Sequence, residues 1–201
     1  MNEKAFRELV SGERHGLQAA ALRLGLGLLA AVYGMAVWLR AAGFRCGLYR
    51  VRRCRVPVIS IGNLTTGGTG KTPLVAWLAE WCRSQGWQAG LLSRGYRSDE
   101  NGNNDEKRLL DQLCPGVPHL QQPDRVSAAR TAIDEHHCNV LLLDDGFQHR
   151  RLHRNLDLVL IDATCPFGYG RLLPRGLLRE PPSALARSSL VVLTRADQVT
   201  P

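Results

Sequence analysis

Short apolar runs alternate with longer segments of helical periodicity over most of the chain. The run at 56–61 is rich in β-branched residues, which predicts a buried strand. Four more runs of this kind follow, at 89–93, 140–143, 156–161 and 190–193. About five strands that alternate with helices or long loops predict an α/β fold, with a mostly parallel sheet covered by helices on both faces.

Two segments between the predicted strands have the period of an amphipathic helix. We predict helices over Thr72–Gln85, with Gly86 as its terminator, and over Asp124–His137, which opens on a Pro-Asp pair. The polar stretch Ser98–Lys107 is predicted to be a loop. The expected apolar faces are Leu74, Leu78 and Trp81 in the first helix, and Val126, Ala129 and Ile133 in the second.

The first quarter of the chain has a different pattern. The stretch Leu24–Leu39 contains no charge. Its length is just below the roughly 17 residues that a spanning helix needs at minimum. Six arginines follow between Arg40 and Arg55, and basic residues beside an apolar helix are attracted to anionic cytoplasmic lipid. We interpret 1–55 as a membrane-associating segment on the cytosolic face, with an interfacial helix favoured over a full span. A buried core helix followed by a solvated basic turn is the alternative.

The charge distribution supports this division of the chain. The 201 residues carry a formal net charge of +8, of which residues 1–55 contribute +7 and the rest +1. Because the excess lies beside the apolar segment, we expect anionic lipid and not nucleic acid as the partner. A hydrophobic fraction of 44% excludes a disordered chain, and six widely spaced cysteines predict reduced thiols.

A glycine-rich turn joins the first predicted strand to the helix after it. Its sequence TTGGTGKT fits the phosphate-loop pattern G-x-x-x-x-G-K-[ST], with Thr65 in place of the first glycine. We expect Lys71 to contact the β- and γ-phosphates and Thr72 to place its hydroxyl on Mg²⁺. An ordinary αβ turn is the alternative, but the strand before and the helix after favour a nucleoside triphosphate. The predicted nucleotide-binding residues are Thr65, Thr66, Gly67, Gly68, Thr69, Gly70, Lys71 and Thr72.

Two carboxylates end the next predicted buried strand. Asp144 and Asp145 directly follow the apolar run at 140–143, which is typical of a strand that brings an acid to a Mg²⁺ site. One carboxylate would hold the metal or its water, and the other could orient a partner or accept a proton. We assign Asp144 to the metal and Asp145 to catalysis, although the sequence leaves open which of the two meets Mg²⁺. A strand that ends in a solvated acidic turn is the alternative.

Four segments, in order, resemble the tetraacyldisaccharide 4′-kinases of lipid A biosynthesis. They are VPVISIGNLTTGGTGKTP (56–73), LLSRGYR (91–97), DDGFQHRRLHRNLDLVLID (144–162) and FGYGRLLPRGLLREP (167–181). The resemblance implies a phosphate-loop kinase that transfers the ATP γ-phosphate to the 4′-hydroxyl of a tetraacyl glucosamine disaccharide 1-phosphate, giving lipid IVA. It also implies Mg²⁺, and an N-terminal helix that meets the bacterial inner membrane from the cytosol.

The same resemblance suggests a catalytic acid. The family has such an acid in a Gly-Asp-Glu-Pro stretch after the SRGY segment, and the nearest match here points to Asp105 as the base. The flanking Gly and Pro are missing, so an exposed acid without a catalytic role is the alternative. Family members usually continue well beyond this length, so we expect 56–201 to be a kinase core that lacks the family's C-terminal portion.

Two other functions are also compatible with the sequence. The segment Thr194–Asp197 resembles the [NT]-K-x-D pattern by which GTPases recognise guanine, which would suit a membrane-associated phosphate-loop GTPase or NTPase. A truncated or inactive copy of the kinase, or a non-catalytic remnant that only docks at membranes, is the other possibility. The sequence does not specify the oligomeric state.

Overall fold

The computed structural model describes residues 3–95 and 105–199, and for residues 3, 105 and 106 it describes the backbone alone. Its strands are β1 (Val58–Asn63), β2 (Ala89–Ser93), β3 (His119–Gln121), β4 (Val140–Asp144), β5 (Leu156–Asp162) and β6 (Leu190–Thr194). Its α-helices are α1 (Glu3–Ser11), α2 (Leu17–Arg45), α3 (Lys71–Ser84), α4 (Asp105–Leu113) and α5 (Arg125–Asp134). Short 3-10 turns cover Gly168–Gly170, Pro182–Arg187 and Ala196–Gln198.

The six strands form one parallel sheet in the order β3-β2-β4-β1-β5-β6. β1 and β4 lie side by side at its centre, so that Ile61 pairs with Asp144. The carboxyl ends of β1, β2 and β4 therefore lie at one edge, where parallel α/β sheets bind their ligands. The predicted fold class is confirmed.

Helices cover both faces of the sheet. One apolar cluster packs α3 and α4 against alternate residues of β1, β2, β4 and β5. A second cluster packs α5 on the opposite face, through residues such as Ala129 and Ile133. All five predicted strands are present, and β3 was not predicted because it has only three half-buried residues.

The predicted apolar face of α3 is wrong in part. Leu78 is buried and Leu74 packs against the core, but the Trp81 side chain is 47% exposed. The buried face carries Val75, Leu78, Ala79 and Cys82. The small Ala79 and Cys82 side chains let the helix approach the sheet closely, and a Trp at that distance has no room.

The predicted loop Ser98–Lys107 is also wrong at its end, because α4 begins at Asp105. The first turn of α4 is polar, which is the pattern that led to the loop prediction. What fixes this helix is Leu110 and Cys114, which are buried against α3 and β2. Residues 98–104 lie outside the described part of the chain.

The apolar N-terminal helix is longer than its uncharged stretch. α2 has 29 residues and is the one helix in the described residues that is long and apolar enough to cross a membrane, judged by length and composition. It lies against the α/β core: Tyr33 donates a hydrogen bond to the Arg179 carbonyl (2.8 Å), and Arg40 donates to that of Gln148 (2.6 Å). Between these contacts Gly34 faces Leu172, where a Cβ atom would lie 3.0 Å from Cδ1.

Candidate nucleotide and acceptor site

The glycine-rich turn lies between β1 and α3, as the sequence predicts. Gly67 and Gly70 have φ values of 120° and 79°, a conformation that non-glycine residues rarely adopt, so the turn depends on them. Gly70 is the residue before α3, so the loop runs directly into the helix N-terminus. Backbone N–H groups at such a terminus attract phosphate oxygens.

Lys71 reaches back across this loop to the centre of the sheet. Its Nζ donates to the Asn63 Oδ1 (3.2 Å) and lies 3.8 Å from the Asp145 Oδ1. The Arg179 Nη1 holds both oxygens of the same carboxylate, at 2.9 and 2.7 Å. Asp145 is therefore fixed between two cations. Because one carboxylate neutralises only one of them, the group keeps a net positive charge that can attract a polyphosphate.

The two carboxylates after β4 have different environments. Asp144 is the last residue of the strand and is 4% exposed. Asp145 has a φ of 51° and turns the chain away from the sheet, toward Lys71 and Arg179. The Arg179 guanidinium occupies both oxygens of Asp145. Asp144 and Thr72 both line the cleft that opens over the phosphate loop, and carboxylate and hydroxyl oxygens are ligands of the kind that Mg²⁺ prefers beside phosphate.

Glycines close to Asp145 let the loop after β4 pack closely against β1. A Cβ atom on Gly62 would lie 2.6 Å from that of Phe147, and one on Gly146 would lie 2.5 Å from the Ser60 Oγ. Phe147 itself is fully buried, with the Arg187 guanidinium over its ring at 4.4 Å. The Gly-Phe pair of the DDGFQH segment therefore packs the loop that carries Asp145.

A cleft of about 510 Å³ opens over the phosphate loop. Residues 67–73 form its floor, and Ser93 and Leu109 contribute from β2 and α4. Asp144, Asp145, Arg94, Arg179 and Arg195 line the rest of it. Of the predicted nucleotide-binding residues, Gly67 through Thr72 line this cleft. Its shape and charge suit a nucleoside triphosphate.

Thr65 and Thr66 turn away from this cleft. Thr65 forms a bridge to Leu178, and Thr66 donates its N–H to the Leu177 carbonyl at 2.8 Å. Thr66 instead lines a second cleft, of about 580 Å³, beside the first. Their contacts tie the start of the phosphate loop to the segment after residue 171.

The second cleft lies between the sheet edge and α2. Tyr33 and Arg40 line it from α2, while Gln148 and His149 line it from the loop after β4. Arg94, Asp145 and Arg179 line both clefts. Groups bound in the two clefts would therefore both lie beside Asp145.

His149 is neutral in this environment. Burial lowers the pKa of its imidazole to about 4, and the nearby Arg125 and Arg154 add to this effect. The Arg154 guanidinium also fixes the loop, since it donates to the His149 carbonyl (2.9 Å) and to the Asp157 Oδ2 (2.7 Å). The wall of the second cleft is thus held by a buried ion pair behind it.

A chain of side chains supports the end of β2 beside the nucleotide cleft. The Ser93 Oγ lies 2.9 Å from the His119 Nε2, and the His119 Nδ1 lies 2.9 Å from the Asp111 Oδ1 on α4. Gln121 donates to the same Ser93 oxygen at 3.1 Å. These contacts link β2, β3 and α4. Asp105, the predicted base, is the first residue of α4, and its side chain lies outside the described part of the structure.

The sequence assigned no role to several residues that line or support the two clefts. Asn63, Gln148 and Arg179 lie inside the segments that carry the family resemblance, so the signal was present without a function attached to it. Nothing in the sequence indicated that Tyr33 and Arg40 line a cleft, because a tyrosine and an arginine near an apolar helix are ordinary. Only the docking of α2 on the core reveals their place in the second cleft.

Comparison with known proteins gives a family match over most of the chain. The sequence model for LpxK, tetraacyldisaccharide-1-P 4′-kinase, matches residues 22–200. The tetraacyldisaccharide 4′-kinase of Geobacter sulfurreducens is 42% identical over 207 residues, covering 94% of this chain and 59% of that protein. The same enzyme from Anaeromyxobacter dehalogenans strain 2CP-C is 44% identical over 205 residues, covering 94% of this chain and 54% of that protein.

A solved structure agrees with these matches. The chain is similar to LpxK from Aquifex aeolicus, crystallised in complex with ATP, with a TM-score of 0.81 and 33% identity. The similarity covers 88% of this chain and 60% of that one. The chain spans between half and six tenths of the length of the curated relatives it matches.

Proposed function

The chain belongs to the tetraacyldisaccharide-1-P 4′-kinase family, and on this premise we propose that it binds ATP in the cleft over the phosphate loop and a tetraacyl glucosamine disaccharide 1-phosphate in the cleft beside α2. The γ-phosphoryl group passes from ATP to the 4′-hydroxyl of the lipid, which gives lipid IVA and ADP. The observation that carries the proposal is that the two clefts share Arg94, Asp145 and Arg179.

In this proposal the bond between the γ-phosphorus and the bridging oxygen of ADP breaks as the 4′-oxygen bonds to the same phosphorus. Lys71 and Arg179 lie beside Asp145 and would stabilise the charge on the transferring group. Thr72 and Asp144 would hold Mg²⁺, which neutralises phosphate charge when it is bound. Asp145 would orient the acceptor hydroxyl from its fixed position between the two cations.

The hydroxyl must lose its proton during the transfer. The family resemblance assigns this step to Asp105, at the first residue of α4. The hydrogen-bonded chain of Ser93, His119 and Asp111 fixes α4 against the end of β2. Helix α4 would thereby present Asp105 at the rim of the nucleotide cleft, which Leu109 of the same helix lines.

The acceptor is a membrane lipid, and α2 provides a surface for it. Exposed apolar side chains recur along α2 at intervals of seven and four residues, on the side opposite Tyr33 and Arg40. They are Leu17, Leu24, Leu28, Met35 and Leu39. We propose that this stripe enters the cytosolic leaflet of the bacterial inner membrane with α2 in the membrane plane, while the basic segment after it binds anionic lipid.

The test is transfer of radiolabel from γ-labelled ATP to the disaccharide lipid in detergent micelles. We expect labelled lipid with the wild-type chain and no label with Lys71→Ala. Absence of label, in an assay where the Geobacter sulfurreducens enzyme labels the same lipid, would overturn the proposal for this chain. Binding of lipid without transfer would favour the membrane-docking remnant. GTP hydrolysis without lipid transfer would favour the GTPase alternative.

A further inference from the structure

The end of β6 contacts the phosphate loop at the edge of the nucleotide cleft, which Arg195 also lines. The Thr194 hydroxyl donates to the carbonyl of Thr69 at 3.1 Å and lies 3.4 Å from that of Ile161. Thr194 is the last residue of β6 and pairs with Asp162 of β5. One hydroxyl thus connects the loop to the strand pair beside it.

Arg195 makes the second contact, one residue further on. Its Nη2 donates to the carbonyl of Gly68 at 2.8 Å, and its Nη1 pairs with the Asp162 carboxylate. That carboxylate is fixed in turn by the N–H and hydroxyl of Thr164, at 3.0 and 2.6 Å. Arg195 adopts a left-handed conformation with a φ of 54°, which is unfavourable for residues other than glycine and is stabilised by these contacts.

Two successive peptide groups of the loop are therefore held through their oxygens. In a trans peptide the C=O and the following N–H point in opposite directions. Contacts that fix the Gly68 and Thr69 carbonyls thus also fix the direction of the Thr69 and Gly70 N–H groups. Neighbouring glycines would otherwise leave this loop free to take many conformations.

From this geometry we propose that Thr194 and Arg195 are positioning residues, which hold the phosphate loop in its phosphate-binding conformation through the Gly68 and Thr69 carbonyls. The inference rests on the proposed function, since it assumes that the loop binds a nucleotide. It also gives a role to the Thr194–Asp197 segment that differs from guanine recognition. The Arg195 guanidinium contacts the loop and the Asp162 carboxylate. We therefore expect Arg195 to affect binding of the phosphate chain and not of the base.

Calorimetric titration with Mg-ATP and with inorganic tripolyphosphate tests this directly. Arg195→Ala removes a charged hydrogen bond to the loop, and we expect about tenfold weaker binding of both ligands. Arg195→Lys keeps a donor at this position and should recover part of the loss. Thr194→Val keeps the side-chain shape, and we expect about threefold weaker binding of both ligands. The matched control is Arg55→Ala, which removes a surface ion pair to Asp134 outside the cleft.

The outcomes separate this inference from the proposed function. If wild-type chain binds neither ligand, the proposed function fails and this inference fails with it. If wild-type chain binds both and the folded Arg195→Ala and Thr194→Val variants bind equally well, this inference alone is overturned. A loss for ATP without a loss for tripolyphosphate would place Arg195 at the base and also contradict it. Circular dichroism of each variant establishes that it is folded.

Discussion

The two adjoining clefts are assembled in different ways. Residues 67–73, one continuous segment, form the floor of the nucleotide cleft. The second cleft combines side chains from α2, the loop after β4 and the segment after residue 171, so that Tyr33 and Arg179 meet across 146 residues of sequence. A site formed by one local segment can be read in the sequence. A site formed by docking of distant elements needs the fold.

The difference also predicts how substitutions affect each cleft. In the nucleotide cleft a substitution should remove only its own contact with the nucleotide, because the loop is supported by the strand before it and the helix after it. The second cleft should depend on what holds its separate parts together. Four substitutions test this contrast, and their expected effects run from the largest to the smallest.

Arg154→Ala should damage the second cleft through stability. The Arg154–Asp157 pair is buried, with 10% and 5% of the two side chains exposed. Removal of the arginine leaves a buried carboxylate without its partner, and we expect the free energy of unfolding to fall by about 3–5 kcal/mol in urea titrations. Arg55→Ala breaks an exposed pair and should change it by less than about 1 kcal/mol. Equal effects of the two variants would contradict the role of this pair.

Lys71→Ala should affect the nucleotide cleft alone. The ammonium group contributes charge-assisted hydrogen bonds to phosphate, and we expect about 10- to 100-fold weaker ATP binding with unchanged stability. Binding of the lipid disaccharide should stay within about twofold of wild type, since Lys71 does not line the second cleft. Lys4→Ala is the matched control at the far N-terminal helix. Normal ATP affinity in Lys71→Ala would remove the phosphate-loop assignment.

Tyr33→Phe should affect the second cleft alone. It removes the hydrogen bond from α2 to the Arg179 carbonyl, which is worth about 0.5–1.5 kcal/mol. We expect about two- to tenfold weaker binding of the lipid disaccharide in a vesicle-based assay, and ATP affinity within about twofold of wild type. Tyr49→Phe serves as control, because the Tyr49 ring packs on Phe44 away from both clefts. A loss of ATP affinity in place of lipid affinity would contradict the separation of the clefts.

His149→Asn should change the pH dependence of stability. Burial, with help from Arg125 and Arg154, lowers the pKa of His149 to about 4, while an unfolded histidine titrates near about 6.5. Between these values the unfolded chain binds a proton that the folded chain does not, so stability is complete above the higher value and decreases as the pH falls. We expect the wild type to lose about 1 kcal/mol more than the variant between pH 7 and pH 5 in urea titrations, which is below the limit of about 1.4 kcal/mol per pH unit set by uptake of one whole proton. Parallel pH profiles of the two proteins would contradict this.

The sequence allowed prediction of the elements whose signals are local. The strands, the phosphate loop and the Asp144–Asp145 end of β4 follow from apolar runs and glycine spacing, and the structure has them where predicted. The buried face of α3 was misjudged at Trp81, because the size of neighbouring side chains decides which face approaches the sheet. Helix α4 was not predicted, because its first turn is polar and the helix is held in place by Leu110 and Cys114 farther along.

The separate roles of the charged residues within the site could be predicted only in part. Asp144 was assigned to the metal and Asp145 to catalysis, with the choice between them left open, and the contacts of Arg179 with both oxygens of Asp145 favour that assignment. Nothing in the sequence pairs Arg179 with Asp145, since such a contact across 34 residues depends on how the segment after residue 171 folds back. Charge patterns mark which residues are available, and the fold decides which of them meet.

The central claim is that the two clefts meet at Asp145, so that a nucleotide and a lipid sugar lie side by side there. The most direct test is magnetic resonance of the wild-type chain loaded with Mn²⁺ in place of Mg²⁺, a non-hydrolysable ATP analogue and the disaccharide lipid labelled at its 4′ position. We expect strong paramagnetic broadening of the 4′ signal that disappears when the nucleotide or the metal is omitted. Bound lipid whose 4′ signal stays sharp in the complete mixture would contradict it.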